Sequence, residues 1–585
     1  MSEVTENFVE AVPEAELEAE GRTLLTVAGR SIALIHHEGE VRAVDNRCPH
    51  MGFPLTEGTV DDGILTCHWH HARFELSCGS TFDPWADDVP TYPVEVRDGT
   101  VYVDPNPRRD DPPAVHWAER LEDGLEQNLR LVIAKSAIGL VDAGVEPERQ
   151  VETGVLFGTR YREGGWGPGL TILAAMANVL PELREEDRKR ALYQGLVHVA
   201  RDCADQPPKF DQDPFDARDV PAERLKSWFR NTIDVRDADG AERCLRTAIA
   251  AGRSESELAE MLVAAATDHR YLDVGHTMDF VNKACEALDH VGWEHADHVL
   301  PSLVDGLATA ARSEERSSWR RPVDLAAMLD AAFDRLDDAV AAGDGRAWER
   351  PQGFVEMLLA DDPKAIVEAL EGAIRDGATV EELAREVALA AGTRVARFST
   401  VNEFGDWNTV HHTFTYANAV HRLARRTDAP ELYRGVFDGA VNVYLDRFLN
   451  TPPAPIPEPG DPDADPEALL TELLGAFDEE GEVNAAGRLA AHYLDAGGDP
   501  AALKVRLGEA LLREDAGFHT YQALEAGFAQ HDARTDEEER RTLLVAVARY
   551  LAAHSPTRRE REQTFTIAAR LQRGEKIHEA LDGRE

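Results

Sequence analysis

The period of the apolar residues changes once along this chain of 585 residues. Between residues 21 and 104, apolar side chains come in short runs broken by glycine-containing turns, the signature of short, half-buried strands. Residues 24–27 and 31–35 flank Ala28-Gly29-Arg30 and read as a hairpin. Residues 94–96 and 101–103 flank Arg97-Asp98-Gly99-Thr100, where Asp-Gly suits a two-residue turn with positive φ. Small antiparallel sheets of this kind leave their connecting loops together at one tip. The Glu-rich residues 1–20 read as a flexible or short helical lead, and the Pro/Asp-rich stretch 105–115 as a linker.

From residue 116 to 585, Ala, Leu, Glu and Arg dominate and apolar residues recur at spacings of three and four, so this part is α-helical. Breaks fall at 205–222, around 343–353 and at 452–466, the last an exposed connector. Four segments align with one another. They run from Ala137 to Gly144, from Ala248 to Gly252, from Ala373 to Gly377 and from His492 to Gly498, each glycine ending a helix. Polar starts follow, as at Ser254-Glu255-Ser256-Glu257 and Thr379-Val380-Glu381-Glu382. A further helix then begins in each: GLTILAAMANVLPEL, GHTMDFVNKACEALD, HHTFTYANAVHRLAR and FHTYQALEAGF. The predicted fold is α+β multidomain, a small all-β domain followed by a large all-α domain of about four helical repeats.

Two loops of the β region carry chemistry. Cys48-Pro49-His50 is followed, after sixteen residues, by Cys67-His68-Trp69-His70. Each half offers one thiolate and one imidazole, the ligand order of a [2Fe–2S] centre in which one iron takes two Cys and the other two His. A Cys₂His₂ zinc site is the alternative, although zinc motifs usually pair Cys with Cys and His with His.

With CPHMGFPLTEG, GILTCHWHHARFELSCGSTFDP and VPTYPVEVRDGTVYVD around those ligands, residues 21–104 resemble a Rieske ferredoxin or the Rieske domain of an oxygenase. The resemblance implies a [2Fe–2S] cluster, with Cys48 and Cys67 on the inner iron and His50 and His70 on the outer iron, near the electron exit. Cytochrome-complex Rieske proteins join the two loops by a disulfide; Phe53 and Trp69 stand at those places here. They also place a Ser and a Tyr where Ala72 and Phe74 stand. Fewer donors to sulfur stabilise the reduced cluster less, which implies a potential nearer the ferredoxin end of the range.

Charge narrows the partners. The formal net charge is −46, the pI about 4.8, and only eight of the 62 basic residues are Lys. Such a surface argues against nucleic acid and anionic membranes and resembles proteins of salt-accumulating halophiles; an acidic mesophilic protein is the plainer reading. Cys78, Cys203, Cys244 and Cys285 fit no disulfide framework, and reduced thiols point to a cytoplasmic protein. The acidic start is unlike a signal peptide, and no apolar run is long enough for a membrane span.

The aligned helices place a His-Thr pair at one position: His276-Thr277, His412-Thr413 and His519-Thr520, with Leu170-Thr171 in the first. Packed about one axis, His276, His412 and His519 could converge on a cavity, with Ala417, Ala419 and Ala523 leaving room. They are candidate catalytic residues, as ligands of a second metal of unassigned identity, haem ligands or bases; buried structural His is the plain alternative. Other His lie nearby: His269, His290, His295, His298, His411 and His421. The oxygenase pattern D-x-x-H-x₄-H is not met, because Val281 follows Asp273 and His276 at the second His position, and Ala287 precedes His290 and His295 at the Asp position.

HHTFTYANAVHRLAR and GHTMDFVNKACEALD resemble stretches of questin-oxidase-like proteins, which implies an aromatic or quinone-like small molecule as substrate. No G-x-G-x-x-G follows a strand, so the electron donor must be a partner, a reductase or ferredoxin. The expected function is a soluble oxidoreductase passing electrons from the cluster to a small-molecule oxidation site in the helical domain. An electron carrier with a helical docking scaffold, and a redox sensor, are the alternatives.

Overall fold

The computed structural model describes residues 7–108, 111–216, 219–575 and 577. Part of the expected lead (residues 1–6), of the linker (109 and 110), of the break at 205–222 (217 and 218), and the last helical-region residues lie outside them.

Two compact units form. One contains the chain up to Glu146 together with the C-terminal segment from Arg561; the other is Pro147–Glu560. Among the described residues of the first unit nine strands make three small antiparallel sheets. They are β1 (Val9–Pro13), β2 (Arg22–Val27), β3 (Arg30–His37), β4 (Glu40–Asp45), β5 (Thr59–Asp61), β6 (Ile64–Thr66), β7 (Arg73–Glu75), β8 (Val94–Arg97) and β9 (Thr100–Val103), in the orders β1-β9-β8, β2-β3-β4 and β5-β6-β7. The turn between β8 and β9 has positive φ at both Asp98 (49°) and Gly99 (78°), as the Asp-Gly pair requires. A side chain at Gly79 would meet the Val89 carbonyl oxygen at 2.0 Å, so only glycine lets the backbone pass there.

The boundaries differ from the sequence reading. The lead is structured from Val9: β1 pairs with β9, and α1 (Glu14–Glu20) follows and buries Leu17. The linker is pinned where the Arg108 amide donates to the Thr91 carbonyl at 2.8 Å, and α2 (Pro113–Glu126) starts inside it. Helices α2 and α3 (Arg130–Asp142) belong to the β unit rather than to the helical one. The physical reason is charge. Arg120 and Lys135 project from these helices onto buried Asp87 of the β domain, at 3.1 and 2.8 Å. The C-terminal segment joins them, Gln572 donating to the Lys135 carbonyl at 3.2 Å.

The elements of the second unit are, among the described residues, all helices, joined by irregular segments. Ser254 with Glu257 and Thr379 with Glu382 form reciprocal capping boxes at the predicted helix starts. Helices end before left-handed Gly144, Gly252 and Gly377 as expected, but in the fourth segment the left-handed residue is Gly497, not Gly498. The stretch 452–466 is irregular and largely surface-lying, tied down where the amides of Ala454 and Gly460 donate to the Arg397 carbonyl (2.8 Å) and to Asp495 (2.9 Å). Four helices, α4 (Pro168–Val179), α5 (His276–Val291), α6 (Phe404–Ala424) and α7 (Phe518–Asp532), pack in a closed ring in which each touches the next. They are the helices that the aligned segments single out. Among the described residues no helix is long and apolar enough to cross a membrane.

Candidate functional site

Cys48 and His50 sit on the loop after β4, and Cys67 and His70 on the loop joining β6 to β7. Both loops are closed by their own backbone. The Cys48 amide donates to Phe53 at 2.8 Å, the Gly52 amide to Cys48 at 2.7 Å, and the Cys67 amide to Ala72 at 2.8 Å. Cys48 and Cys67 are buried in the core with Leu55, Leu65 and Phe74, whereas His50 is half-buried and His70 exposed. The imidazoles of His50 and His70 are 4.8 Å apart, edge to face, and Trp85 closes over His50 at 4.6 Å. Phe53 and Trp69, which replace the disulfide cysteines, pack against each other at 6.0 Å and bridge the two loops without a covalent bond.

The donor set fits a [2Fe–2S] cluster. The two thiols lie within hydrogen-bond reach of each other, and that interaction holds the Cys67 thiol at about 6 while pushing Cys48 far up. Backbone N–H groups of His50 and Met51 point at the Cys48 sulfur, and those of Trp69 and His70 at the Cys67 sulfur. These donors stabilise negative charge on sulfur, part of what the side chains at 72 and 74 do not provide. Nδ1 of His50 is buried with no hydrogen-bond partner, and burial followed by the neighbouring His70 lowers its pKa to about 4, so the ring is neutral with a lone pair to give.

Lys135 was not anticipated as part of this site. Its ammonium donates to the carbonyl of Pro49, between the two ligands of the first loop, and is itself buried against Asp87. Burial pulls the Asp87 carboxyl up, but the charges of Lys135 and Arg120 outweigh it and hold its pKa below the usual range. The signal was present in the sequence: a lysine inside the apolar run LVIAKSAIGL of a lysine-poor chain.

In the helical unit, His276, His412 and His519 come together. One ring nitrogen of each lies within 4.8 Å of the others, and they are the only such group of three His, Cys, Asp or Glu among the described residues. His276 opens α5 and His519 stands second in α7, but His412 sits eight residues into α6 rather than at its start. Nε2 of His412 and Nε2 of His519 are 2.8 Å apart, and the His276 ring lies 4.5 Å from that of His412. Burial lowers all three pKa values; neighbouring imidazoles lower His412 further, to about 2, and His519, to about 3, whereas Asp273 partly offsets the effect of burial on His276. His411, fully buried, stands 5.3 Å from His519 with neither ring nitrogen hydrogen-bonded. The other His of that region serve structure: His269 holds Glu314, His290 holds Asn178, His295 holds Glu152 and His421 holds Gln530. His298 is exposed beside Asp297.

A strained turn delivers His276. Tyr271, Asp273, Val274 and Gly275 all have positive φ, of 41°, 47°, 50° and 96°. For a β-branched residue such as Val274 this is costly and persists only where packing enforces it.

Beyond the His cluster the interior of the helix ring is polar. Gln522 donates to Asp279; Lys283 lies between Glu286 (2.8 Å) and Glu525 (2.6 Å); Asn178 donates to both carboxylates; Arg422 reaches Glu286 at 3.0 Å. A cavity of about 410 Å³ opens further along the same helices, lined by Asn178, Arg385, His421, Arg422, Glu525 and Phe528 rather than by the His cluster. Ala417, Ala419 and Ala523 are buried and do not line it.

The comparisons agree on the N-terminal region. The Rieske [2Fe-2S] domain matches residues 7–93. The 3-phenylpropionate/cinnamic acid dioxygenase ferredoxin subunit of Photorhabdus laumondii is 42% identical over 74 residues, 12% of this chain and 70% of that protein. The ferredoxin component of the naphthalene 1,2-dioxygenase system of Pseudomonas aeruginosa is 33% identical over 103 residues, 17% of this chain and 98% of that protein. The solved ferredoxin of carbazole 1,9a-dioxygenase from Nocardioides aromaticivorans IC177 aligns with 17% of this chain and 100% of its own, at 23% identity and a TM-score of 0.17. A Rieske domain carries a [2Fe–2S] cluster and transfers electrons. Through residues 7–93, this chain belongs to the Rieske [2Fe–2S] family.

Proposed function

We propose that this chain is a Rieske oxidoreductase that couples a cluster held by Cys48, His50, Cys67 and His70 to oxidation of a small organic molecule at His276, His412 and His519. The convergence of those three imidazoles carries the reading: three helices distant in the sequence bring half-buried ring nitrogens within 4.8 Å of one another. When bound, the cluster supplies electrons one at a time. His70, exposed, and His50 behind it form the edge through which a reductase or ferredoxin would reach it. Lys135 and Asp87 fix the first ligand loop, and the strained turn at 271–275 fixes His276. Because electrons arrive from a partner, the oxidant is dioxygen: one C–H, one O₂, two electrons and two protons give one C–OH and one water. The relatives are components of aromatic-acid and naphthalene dioxygenase systems, and the helical stretches resemble questin-oxidase-like proteins, so the substrate class is aromatic or quinone-like. The protein would act in the cytoplasm.

The test is re-oxidation of the loaded full-length chain. After anaerobic reduction and mixing with air-saturated buffer, return of the cluster's visible absorption should be several-fold slower in His276→Ala, His412→Ala and His519→Ala. Equal rates would favour a second reading, an electron carrier whose helices are a docking scaffold. What favours that reading is that the naphthalene-system ferredoxin is matched over 98% of its own length by this chain's N-terminal region.

A further inference from the structure

We infer that His276, His412 and His519 together bind one divalent transition-metal ion of the class that prefers imidazole, such as Fe²⁺, Co²⁺ or Zn²⁺. This deepens the proposed function by naming the cofactor of that site, and it rests on reading the cluster as a reaction centre.

The donor set is the first argument. Three ligand nitrogens lie within 4.8 Å of one another and, among the described residues, no carboxylate joins them, which selects borderline transition metals over Mg²⁺ or Ca²⁺. The second is unmet hydrogen bonding. His412 and His519 share one bond, and His276 makes none among the described residues. His411, fully buried at the edge of the cluster, leaves both nitrogens unpaired. Half-buried imidazoles drawn this close, with only one pair of them hydrogen-bonded, are costly to hold together unless an electrophile occupies the space between them. The third is preorganisation: the left-handed residues Tyr271, Asp273, Val274 and Gly275 commit strain to placing His276, and strain of this kind collects at functional sites. Phe280 and Phe518 pack on the His276 ring at 5.8 and 5.5 Å and restrict its rotation. Three protein ligands leave coordination positions open, as in reactive rather than structural sites.

The experiment uses the full-length chain with its cluster intact. Metal analysis should find one equivalent of metal beyond the two irons of the cluster, or Co²⁺ titration should fill one site with the visible ligand-field bands of nitrogen coordination. His276→Ala, His412→Ala and His519→Ala should each weaken Co²⁺ binding at least 100-fold while the cluster spectrum and far-ultraviolet circular dichroism stay unchanged. His298→Ala, at an exposed position, should bind as the wild type does. Where a variant fails to fold, Cu²⁺ EPR of the wild type decides: coupling to three nitrogens supports the site. Absence of any saturable site beyond the cluster, coupling to fewer than two nitrogens, or equal binding by the three alanine variants would overturn the inference. Metal binding without any effect on cluster re-oxidation would leave this inference standing and remove the proposed function; slowed re-oxidation in the variants without metal binding would do the reverse.

Discussion

Nζ of Lys135 lies 2.8 Å from Oδ2 of Asp87, and the same ammonium donates to the carbonyl of Pro49, between Cys48 and His50. A helix outside the β domain thereby fixes the backbone of a ligand loop and places a buried positive charge that the His50 ring feels. Lys135→Met should destabilise the first unit by about 3 kcal/mol, at the low end for a broken buried pair because Arg120 still faces Asp87. It should also lower the cluster potential by on the order of tens of millivolts, since a nearby cation favours the reduced state. Thermal melting and a redox titration check the two effects; a potential equal to or above that of the wild type would refute the second.

The loops carry backbone donors to sulfur but Ala72 and Phe74 at the side-chain donor positions. The loaded protein should therefore titrate near the lower end of the Rieske range, at about −150 mV. Phe74→Tyr should raise that value. A clearly positive wild-type potential would contradict the account.

Asp446 is fully buried, and desolvation raises its pKa to about 7 against the downward pull of Thr413 and Arg394. The folded form thus binds a proton that the unfolded chain releases near the model-compound value of 3.8. Its contribution to stability is complete below that pH and is lost progressively as pH rises to about 7. Asp446→Asn should match the wild type at pH 4 and exceed it at pH 8 by on the order of a few kcal/mol. Asp279 and Asp438, also raised to about 7, should leave the remaining slope in place. Melts from pH 4 to 8 test this; parallel curves for both proteins would exclude it.

Gly275 has φ of 96°, and a Cβ there would stand 2.9 Å from the Tyr271 ring. Gly275→Ala should cost about 2 kcal/mol and displace His276. Co²⁺ titration and melting measure the two consequences together. A variant with wild-type metal affinity would show that the turn does not position that side chain.

With a net charge of −46, self-repulsion should be screened by salt. The melting temperature should rise between 0.1 and 2 M KCl, by roughly several degrees if screening contributes 1–2 kcal/mol. A flat response would favour the mesophilic reading of the composition.

The β domain was legible because its information is local. The alternation around residues 24–35, the Asp98-Gly99 turn and the spacing of Cys48, His50, Cys67 and His70 each lie within a few residues of one another. Phe53 and Trp69 could be placed as replacements for cysteines, but their contact across the loops could not, since it depends on how two separate turns face each other. The short helix read in the lead is present as α1, but β1 before it was missed for a similar reason: it is a strand only because β9 is there to pair with it.

In the helical part, the recurring His-Thr pairs marked three side chains and pointed to their convergence only on the condition that the helices pack about one axis. Lys135 stands out in its apolar run, whereas Lys283 has no evident partner in its own stretch beyond Glu286; Glu525 arrives from 242 residues away. What the chain alone laid down was short-range chemistry: strand and helix periods, caps, turns and the ligand order of the cluster. What required folding was every relation between segments distant along the chain: Lys135 on Pro49, the polar interior of the helix ring, and the meeting of His276 with His412 and His519. Local propensity is written in neighbouring residues, whereas burial and charge pairing depend on which surfaces the packed helices present to each other.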